Sequence, residues 1–163
     1  MPDSLPDQGS VQACRAFIRT QHVMSLATSS NTGAWAAPVY YYFMDMDFFF
    51  FSNESSQHIK DALTSDMLCA ASIFEDQRRF DQTRFDQIRG LQMSGKIDQV
   101  HSKIKALKAA IGYIKRFKIK AGKPDILNFI ETQYHAKLFC FSPHQIFFMD
   151  NSKGFGNRQE IKL

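Results

Sequence analysis

Most hydrophobic stretches of this chain are short and rich in aromatic or β-branched residues, a pattern typical of β-strands. A β-hairpin is predicted from residues 22–28 and 35–43, joined by a polar turn at 29–33. A tight turn at 44–47 leads into a third strand at 48–52, which continues an antiparallel meander. Further strands are predicted at 68–74, at 88–100 with a bulge at Gly95, and at 137–141 and 145–149 on either side of a turn.

Four α-helices are predicted, three of them from hydrophobic positions at helical spacing. The first covers residues 11–21 behind Ser10 as the predicted N-cap, and its apolar face holds Val11, Cys14, Phe17 and Ile18. The second begins after Ser55 or Ser56 and ends near residue 65, and its inward-facing residues are Ile59, Ala62 and Leu63. The third carries an apolar stripe predicted to pack on the sheet, made of Ile104, Leu107, Ile111, Ile114 and Phe117. The fourth is short and runs from Pro124 to about Thr132.

Length and composition indicate one mainly β globular domain with peripheral helices, covering residues 1–163. No apolar run approaches the roughly 20 residues that span a bilayer, and the N-terminus lacks the pattern of a signal peptide. We therefore expect a cytoplasmic protein without a membrane partner. The three cysteines are widely spaced and form no CxxC pair, which favours buried, reduced thiols. The five histidines show no metal-binding spacing, so no metal is expected.

Positive charge is concentrated in one segment. Residues 101–123 hold eight Lys or Arg and no Asp or Glu, whereas the remaining 12 basic and 16 acidic residues give −4. A basic helix of this kind can contact nucleic acid or another anionic surface. The regular apolar stripe favours a different interpretation, in which the helix packs on the sheet and the lysines form its solvated face. We therefore expect no nucleic-acid partner.

A short near-repeat lies between two predicted strands, with Arg-Phe-Asp-Gln at 79–82 and again at 84–87. Its five-residue period fits neither a solenoid nor a coiled coil. We interpret it as a solvated loop, with substrate gating as the minor alternative.

The turn after the third strand combines the features of an anion-binding site. Ser52, Asn53 and Ser56 supply hydroxyl and amide groups immediately before a predicted helix. The first N–H groups of a helix have no intrahelical partners, and the helix dipole favours an anion beside them. A phosphate group fits these donors.

The order of these motifs resembles the FMN-binding split barrels of the pyridoxamine 5′-phosphate oxidase-like family. The likeness is carried by Leu-Ala-Thr at 26–28, Pro-Val-Tyr at 38–40 and the run from 51 to 58, and it covers most of the chain. It implies an antiparallel split β-barrel that binds FMN. In that family an aromatic-Thr-Asn segment and a Ser-Arg-Lys segment hold the FMN phosphate, and the matching residues are Phe51, Ser52, Asn53, Ser56, Gln57 and His58.

Two of these positions depart from the family, because Gln57 and His58 replace its Arg and Lys. A phosphate beside His58 would raise the pKa of the imidazole. FMN affinity is therefore predicted to fall as the pH rises above about 7. Equal dissociation constants at mildly acidic and mildly alkaline pH would contradict this expectation.

The resemblance also implies contacts to the flavin ring. In the family, the second strand runs along the isoalloxazine ring and a Gln lies nearby. The resemblance therefore implies that the cofactor contacts are Pro38, Val39, Tyr40 and Gln92. Strand alternation puts Pro38, Tyr40 and Tyr42 on one face of the second strand and the residues between them on the other, and either face can line the barrel. For each tyrosine, plain core or dimer packing is an equal alternative.

The C-terminal segment 150–158 resembles a small bacterial branch of these barrels rather than the B6 oxidases themselves. The family usually forms homodimers with the flavin at the interface, so we expect a homodimer. The resemblance implies contacts to substrate or to the second subunit by Tyr42, Phe155 and Arg158. Packing of the C-terminal segment for stability is an equal alternative.

Two functions of different classes follow from the resemblance. The first is an FMN-dependent oxidoreductase of unknown substrate, in which the protein orients the flavin and the flavin carries the electrons. No residue stands out as its catalytic acid or base. The second is a non-catalytic flavin or haem carrier, since related barrels include haem-handling proteins.

Overall fold

The computed structural model describes residues 8–31, 33–64, 69–76, 85–120 and 126–162. The strands are β1 Val23–Ser30, β2 Gly33–Tyr40, β3 Tyr42–Met44, β4 Asp47–Ser52, β5 Cys69–Asp76, β6 Ile88–Gln99, β7 Lys137–Asp150 and β8 Arg158–Glu160. The α-helices are α1 Gln8–Thr20, α2 Gln57–Thr64, α3 Lys103–Phe117 and α4 Ile126–Tyr134. No helix within these ranges is long and apolar enough to cross a membrane.

The strands pair into one antiparallel sheet in the order β2-β1-β5-β6-β7-β4-β3, with β8 added beside β7. The two end strands, β2 and β3, are separated in sequence by Tyr41 alone, so the sheet curls until its ends approach each other. Tyr41 is fully buried at this junction, and its hydroxyl donates a hydrogen bond of 2.7 Å to the carbonyl oxygen of Ile18. The architecture is the expected antiparallel split β-barrel with peripheral helices.

The predicted alternation of the strands decides which side chains fill the barrel. On β1, Met24, Leu26 and Thr28 are buried while Val23, Ser25 and Ala27 are exposed. The same side of the sheet carries the large aromatic residues of the core, which are Tyr41, Phe48, Phe50, Phe139 and Phe141. A smaller second cluster fills the space between β4, β7 and α3, and it includes Phe49, Ala106, Ala109, Leu138 and Cys140.

The prediction of two separate final strands is wrong, because β7 continues through the expected turn. Gly95 pairs with Pro143 of β7, and the register shifts between Ser94 and Gly95. Proline has no N–H group to donate to the ladder, and a bulge accommodates this loss without ending the strand. The bulge predicted at Gly95 is confirmed.

Helices α1 and α2 lie close to their predicted positions, with two corrections. The apolar face of α1 buries Cys14, Phe17 and Ile18 as expected. Ser10, however, lies inside the helix and accepts a 2.9 Å hydrogen bond from Lys153 Nζ, so it is not the N-cap. On α2, Leu63 is 47% exposed although it was expected to face inward. The helix ends one residue later and leaves that side uncovered.

The packing face predicted for α3 is only partly correct. The helix buries its small residues Ala106, Ala109 and Ala110 together with Tyr113. The expected apolar stripe is exposed at the start of the helix, with Ile104 71% and Leu107 45% exposed, whereas Phe117 at its other end packs on Tyr40 of β2. Alanines let the helix backbone approach the sheet closely, whereas a stripe of Ile and Leu would hold it farther away.

Two predictions fall partly outside the described residues. Most of the near-repeat lies there, and only Phe85–Gln87 is described, as a short 3-10 helix. The predicted start of the fourth helix at Pro124 also lies outside. The described part of that helix, α4, extends to Tyr134.

Candidate functional site

The predicted phosphate site is a compact polar cluster at the end of β4. The Oγ atom of Ser52, in the last position of β4, lies 2.9 Å from Ser56 Oγ and 2.9 Å from His58 Nε2. The backbone carbonyl of Ser56 accepts hydrogen bonds from the N–H groups of Ile59 and Lys60, so α2 starts at this point. Two hydroxyls and one imidazole therefore converge beside a helix N-terminus.

Asn53 shapes the turn that brings these groups together. Its Oδ1 accepts hydrogen bonds of 2.8 Å from the backbone N–H of Ser55 and 2.7 Å from Ser55 Oγ. Its carbonyl oxygen accepts a hydrogen bond from Ser56 Oγ. Asn side chains favour such turns because their carbonyl oxygen reaches the backbone two residues ahead. Asn53 thus orients Ser56 toward Ser52.

Gln57 and Asp61 form a second polar pair one helical turn apart. Gln57 Nε2 donates a 2.7 Å hydrogen bond to Asp61 Oδ1, and Thr28 Oγ1 donates one of 3.2 Å to Asp61 Oδ2. Asp61 is buried, so this network attaches α2 to β1. The amide of Gln57, at the position of the family's Arg, is therefore directed toward a carboxylate.

Burial governs the protonation of His58. The side chain is only 8% exposed, and removal from water lowers the pKa of its imidazole, while the negative charge of Asp61 acts in the opposite direction. The neutral form is favoured in the absence of a ligand. An anion beside Nε2 would have to restore the proton, which shifts the predicted pH dependence of anion binding to lower pH.

Lys137 is a cation near this cluster that sequence reasoning missed. It is directly opposite Ser52 in the β4–β7 register, so both side chains leave the same face of the sheet. Its ammonium group lies 2.8 Å from Glu54 Oε2, and this hydrogen bond raises the pKa of Lys137. The only signal in the sequence is its position at the start of the last long strand, which has no meaning until the register is known.

Phe51 belongs to the opposite face of β4. Its ring packs edge to face on Tyr113 of α3, with the ring centroids 5.1 Å apart. It also lines a cavity of about 260 Å³ between the barrel, α3 and α4, which Leu127 and Leu138 border as well. The structure therefore separates Phe51 from the hydroxyl cluster by the thickness of the strand.

The residues expected along the flavin ring lie mostly on the outer face of the sheet. Pro38 and Tyr40 are exposed, and Val39 is half-buried against the core. Cross-strand pairing places Pro38 in one row with Ser25, Ser72 and Gln92 on successive strands. Three strand spacings, roughly 14 Å, separate Pro38 from Gln92.

Gln92 is exposed rather than buried, and it has a partner from the C-terminal segment. Its Oε1 accepts a 3.1 Å hydrogen bond from Arg158 Nη1, and the guanidinium of Arg158 lies 4.6 Å from the centre of the Phe147 ring. The turn before β8 carries Phe155 at 85% exposure. Asn151 holds this turn by accepting a 3.1 Å hydrogen bond from the N–H of Gly156. Gln92 and Arg158 therefore meet on the outer face, and the turn that carries Phe155 precedes the strand of Arg158.

Tyr42 packs against α3, apart from the other predicted contacts. Its ring occupies the space beside Gly112, where an added Cβ atom would be 2.2 Å from Tyr42 Cζ. A helix residue without a side chain is needed for this approach. Tyr42 is half-buried by the contact.

The described residues contain no group of three His, Cys, Asp or Glu side chains that could hold a metal ion. All three cysteines are free and buried, as expected. Burial raises the pKa of Cys14 and of Cys140 to about 12, and it raises that of Cys69 as well. These thiols are therefore protonated at neutral pH and are poor nucleophiles.

No protein-family model matches the chain, and no curated protein matches it. Solved structures match it closely in fold, and three illustrate the range.

The chain superposes on Campylobacter jejuni ChuZ with a TM-score of 0.74 and 14% identity, covering 98% of this chain and 61% of that one. For the haem-binding protein from Mycobacterium smegmatis the TM-score is 0.68 with 13% identity, covering 98% and 60%. A Clostridium acetobutylicum protein related to general stress protein 26, of the pyridoxinephosphate oxidase family, gives 0.63 with 12% identity and covers 97% of both chains. This chain has the pyridoxamine 5′-phosphate oxidase-like split-barrel fold. It spans about 60% of the length of the first two proteins.

Proposed function

We propose that this split barrel binds FMN and uses it as a flavin-dependent oxidoreductase. The observation that carries the proposal is the convergence of Ser52 Oγ, Ser56 Oγ and His58 Nε2 within 2.9 Å contacts at the start of α2. Hydroxyl donors and free N–H groups at a helix N-terminus suit the phosphate of FMN. When bound, FMN would supply the electron-transfer chemistry.

The groups at the start of α2 can form hydrogen bonds with a phosphate, but none of them carries a permanent positive charge. Lys137 supplies that charge in our proposal. It lies beside Ser52 in the register, and its side chain is 35% exposed, so the ammonium can leave Glu54 for a phosphate. A charged donor to a phosphate is roughly twice as strong as a neutral one. Lys137 would then supply the positive charge that Arg provides in the family at the position of Gln57.

We further propose that the active form is a homodimer. In one copy, the phosphate cluster lies at the inner side of the sheet while Pro38 and Gln92 lie on the outer face. A second copy packed on the outer face would cover Pro38 and Gln92. Support comes from the small outward residues Ser25, Ala27 and Ser72, which leave this face flat, and from two exposed aromatic residues beside them, Tyr40 at 58% and Phe74 at 62%.

Light scattering tests the dimer. We expect a mass of twice 18.7 kDa for the purified chain and one of 18.7 kDa for Ser72→Arg, which places a charge in the middle of the outer face. A monomeric wild-type protein would contradict the dimer.

The experiment for the cofactor is the absorption spectrum of the protein as purified and after addition of FMN. Flavin bands that are bleached by NADH or NADPH support the oxidoreductase. A Soret band would instead support the haem carrier, the alternative suggested by the likeness in fold to the haem-binding protein from Mycobacterium smegmatis. A protein that takes up neither ligand would refute both proposals.

The role of Lys137 is tested by three variants. Lys137→Gln is expected to weaken FMN binding about tenfold, because a charged hydrogen bond is lost. Lys96→Gln is the matched control, since Lys96 is exposed on β6. Glu54→Gln releases Lys137 from its ion pair and is expected to strengthen binding. Equal effects of Lys137→Gln and Lys96→Gln would remove Lys137 from the site.

A further inference from the structure

Helix α3 presents an apolar stripe to solvent that the barrel does not use. Ile104 is 71% exposed and Leu107 is 45% exposed, although the core buries the alanine face of the same helix. Ile104, Leu107 and Ile111 follow one another at intervals of three and four residues, so they form one continuous row. The helix already packs on the barrel through another face. Exposed apolar residues in a row therefore indicate that a partner covers them.

Lysines lie on the same side of the helix as this row. Lys108 follows Ile104 by one turn, and Lys115 follows Ile111 by one turn. Five lysines of the segment are exposed: Lys103, Lys108, Lys115, Lys118 and Lys120. Within the described part of the chain, none of the five forms an ion pair. Their charge is therefore available to an anionic partner.

The other two basic residues of α3 are used differently. Lys105 is directed toward the barrel and lies 2.7 Å from Asp47 Oδ2. Arg116 donates a hydrogen bond to the carbonyl oxygen of Gln21, and its guanidinium lies 5.9 Å from the centre of the Tyr41 ring. The helix is thus attached to the barrel by one set of cations and carries another set outward.

Contrary to the expectation of no membrane partner, we propose that the outer face of α3 docks on an anionic phospholipid surface through Ile104, Leu107, Lys108, Lys115 and the half-buried Ile111. An amphipathic helix with apolar residues flanked by lysines binds the interface of a bilayer by burying the former and pairing the latter with lipid phosphates. A flat, deformable surface suits the convex, solvent-facing side of a helix. The proposal does not depend on the bound cofactor.

Two other partners fit this face less well. A nucleic acid would pair with the lysines, but phosphate contacts give no reason for Ile104 and Leu107 to be exposed. A second copy of α3 would bring its own lysines against these, and like charges disfavour that contact.

The test is flotation of the full chain with vesicles of phosphatidylcholine alone and of equimolar phosphatidylcholine and phosphatidylglycerol. We expect binding to the anionic vesicles only, and weakening by added salt. The variant Lys103→Gln/Lys108→Gln/Lys115→Gln should bind on the order of a hundredfold more weakly. The variant Ile104→Ser/Leu107→Ser should bind about tenfold more weakly, and because both residues are exposed it should keep its circular dichroism spectrum.

A matched control carries the same loss of charge elsewhere. Lys60→Gln/Lys96→Gln/Lys162→Gln also lowers the formal net charge from +4 to +1, and all three lysines are exposed outside α3. It should bind the anionic vesicles nearly as well as the wild type. Equal losses for both triple variants, or equal binding to both kinds of vesicle, would overturn the proposal. Tight RNA or DNA binding that the Ile104→Ser/Leu107→Ser variant retains would do the same.

Discussion

The bulge at Gly95 gives the sharpest stability prediction, because the opposing strand leaves no room for a side chain. A Cβ atom at this position would lie 2.4 Å from the carbonyl oxygen of Ser142 and 2.8 Å from Pro143 Cα. Both contacts are with backbone, so β7 itself would have to move. Overpacking of this kind costs about 1–3 kcal/mol. Alanine has less conformational entropy than glycine in the unfolded state, and this offsets about 0.4–1 kcal/mol of the cost.

Gly95→Ala is therefore expected to lower the free energy of unfolding by about 1–2 kcal/mol, measured by urea denaturation followed by circular dichroism. Gly90→Ala is the matched control on the same strand. Its Cβ would come no closer than 3.3 Å to the Ile73 carbonyl oxygen, so we expect a change of less than about 1 kcal/mol. If Gly95→Ala left stability unchanged or raised it, the pairing of Gly95 with Pro143 would be wrong.

Three further predictions concern polar groups that are buried or half-buried. Burial lowers the pKa of His58 in the folded state, so acidification favours the unfolded state, and the stability of the protein should decline as the pH falls below about 6.5. In thermal denaturation, His58→Gln should show a smaller decline than the wild type, and an identical decline would contradict this prediction. All three buried thiols should react with a disulfide reagent only after denaturation, and rapid labelling of the native protein would show that they are accessible. Asp47 accepts 2.7 Å hydrogen bonds from Ser142 Oγ and Lys105 Nζ, so Asp47→Asn should cost about 1–3 kcal/mol in urea denaturation, whereas no loss would mean that these contacts contribute nothing.

The strands were predictable because aromatic runs and alternation depend on local sequence. The hairpin 22–43 and the third strand appear in the structure as β1 to β4, apart from the break at Tyr41. The bulge at Gly95 was predicted because glycine inside a strand pattern has few other uses. The prediction was wrong near the end of the chain, where Pro143 indicated a turn but is tolerated within β7 opposite Gly95.

The packing of α3 was not predictable from hydrophobicity. Ile104 and Leu107 have the spacing of a buried face, yet the alanine face gives a closer approach to the barrel. The choice between the two faces depends on the surface that meets the helix, which a single segment of sequence does not contain.

The candidate site was predictable only within one segment. Ser52, Ser56 and His58 are close in sequence, and the structure brings them together. Lys137 comes from a distant strand and is placed by register alone. The roles proposed for these residues, and for Gln92 and Arg158 on the outer face, stay predictions.

The most direct test of the central claim is a comparison of FMN with riboflavin, which has the same ring system but no phosphate. Trp35 is the chain's single tryptophan and pairs with Thr28, which contacts Asp61 of α2, so its fluorescence is a suitable reporter. We predict that FMN quenches Trp35 at low concentration, that riboflavin binds at least about a hundredfold more weakly, and that Ser52→Ala/Ser56→Ala removes most of this difference. Equal affinity for the two ligands, or no binding of FMN, would contradict the phosphate site at the start of α2.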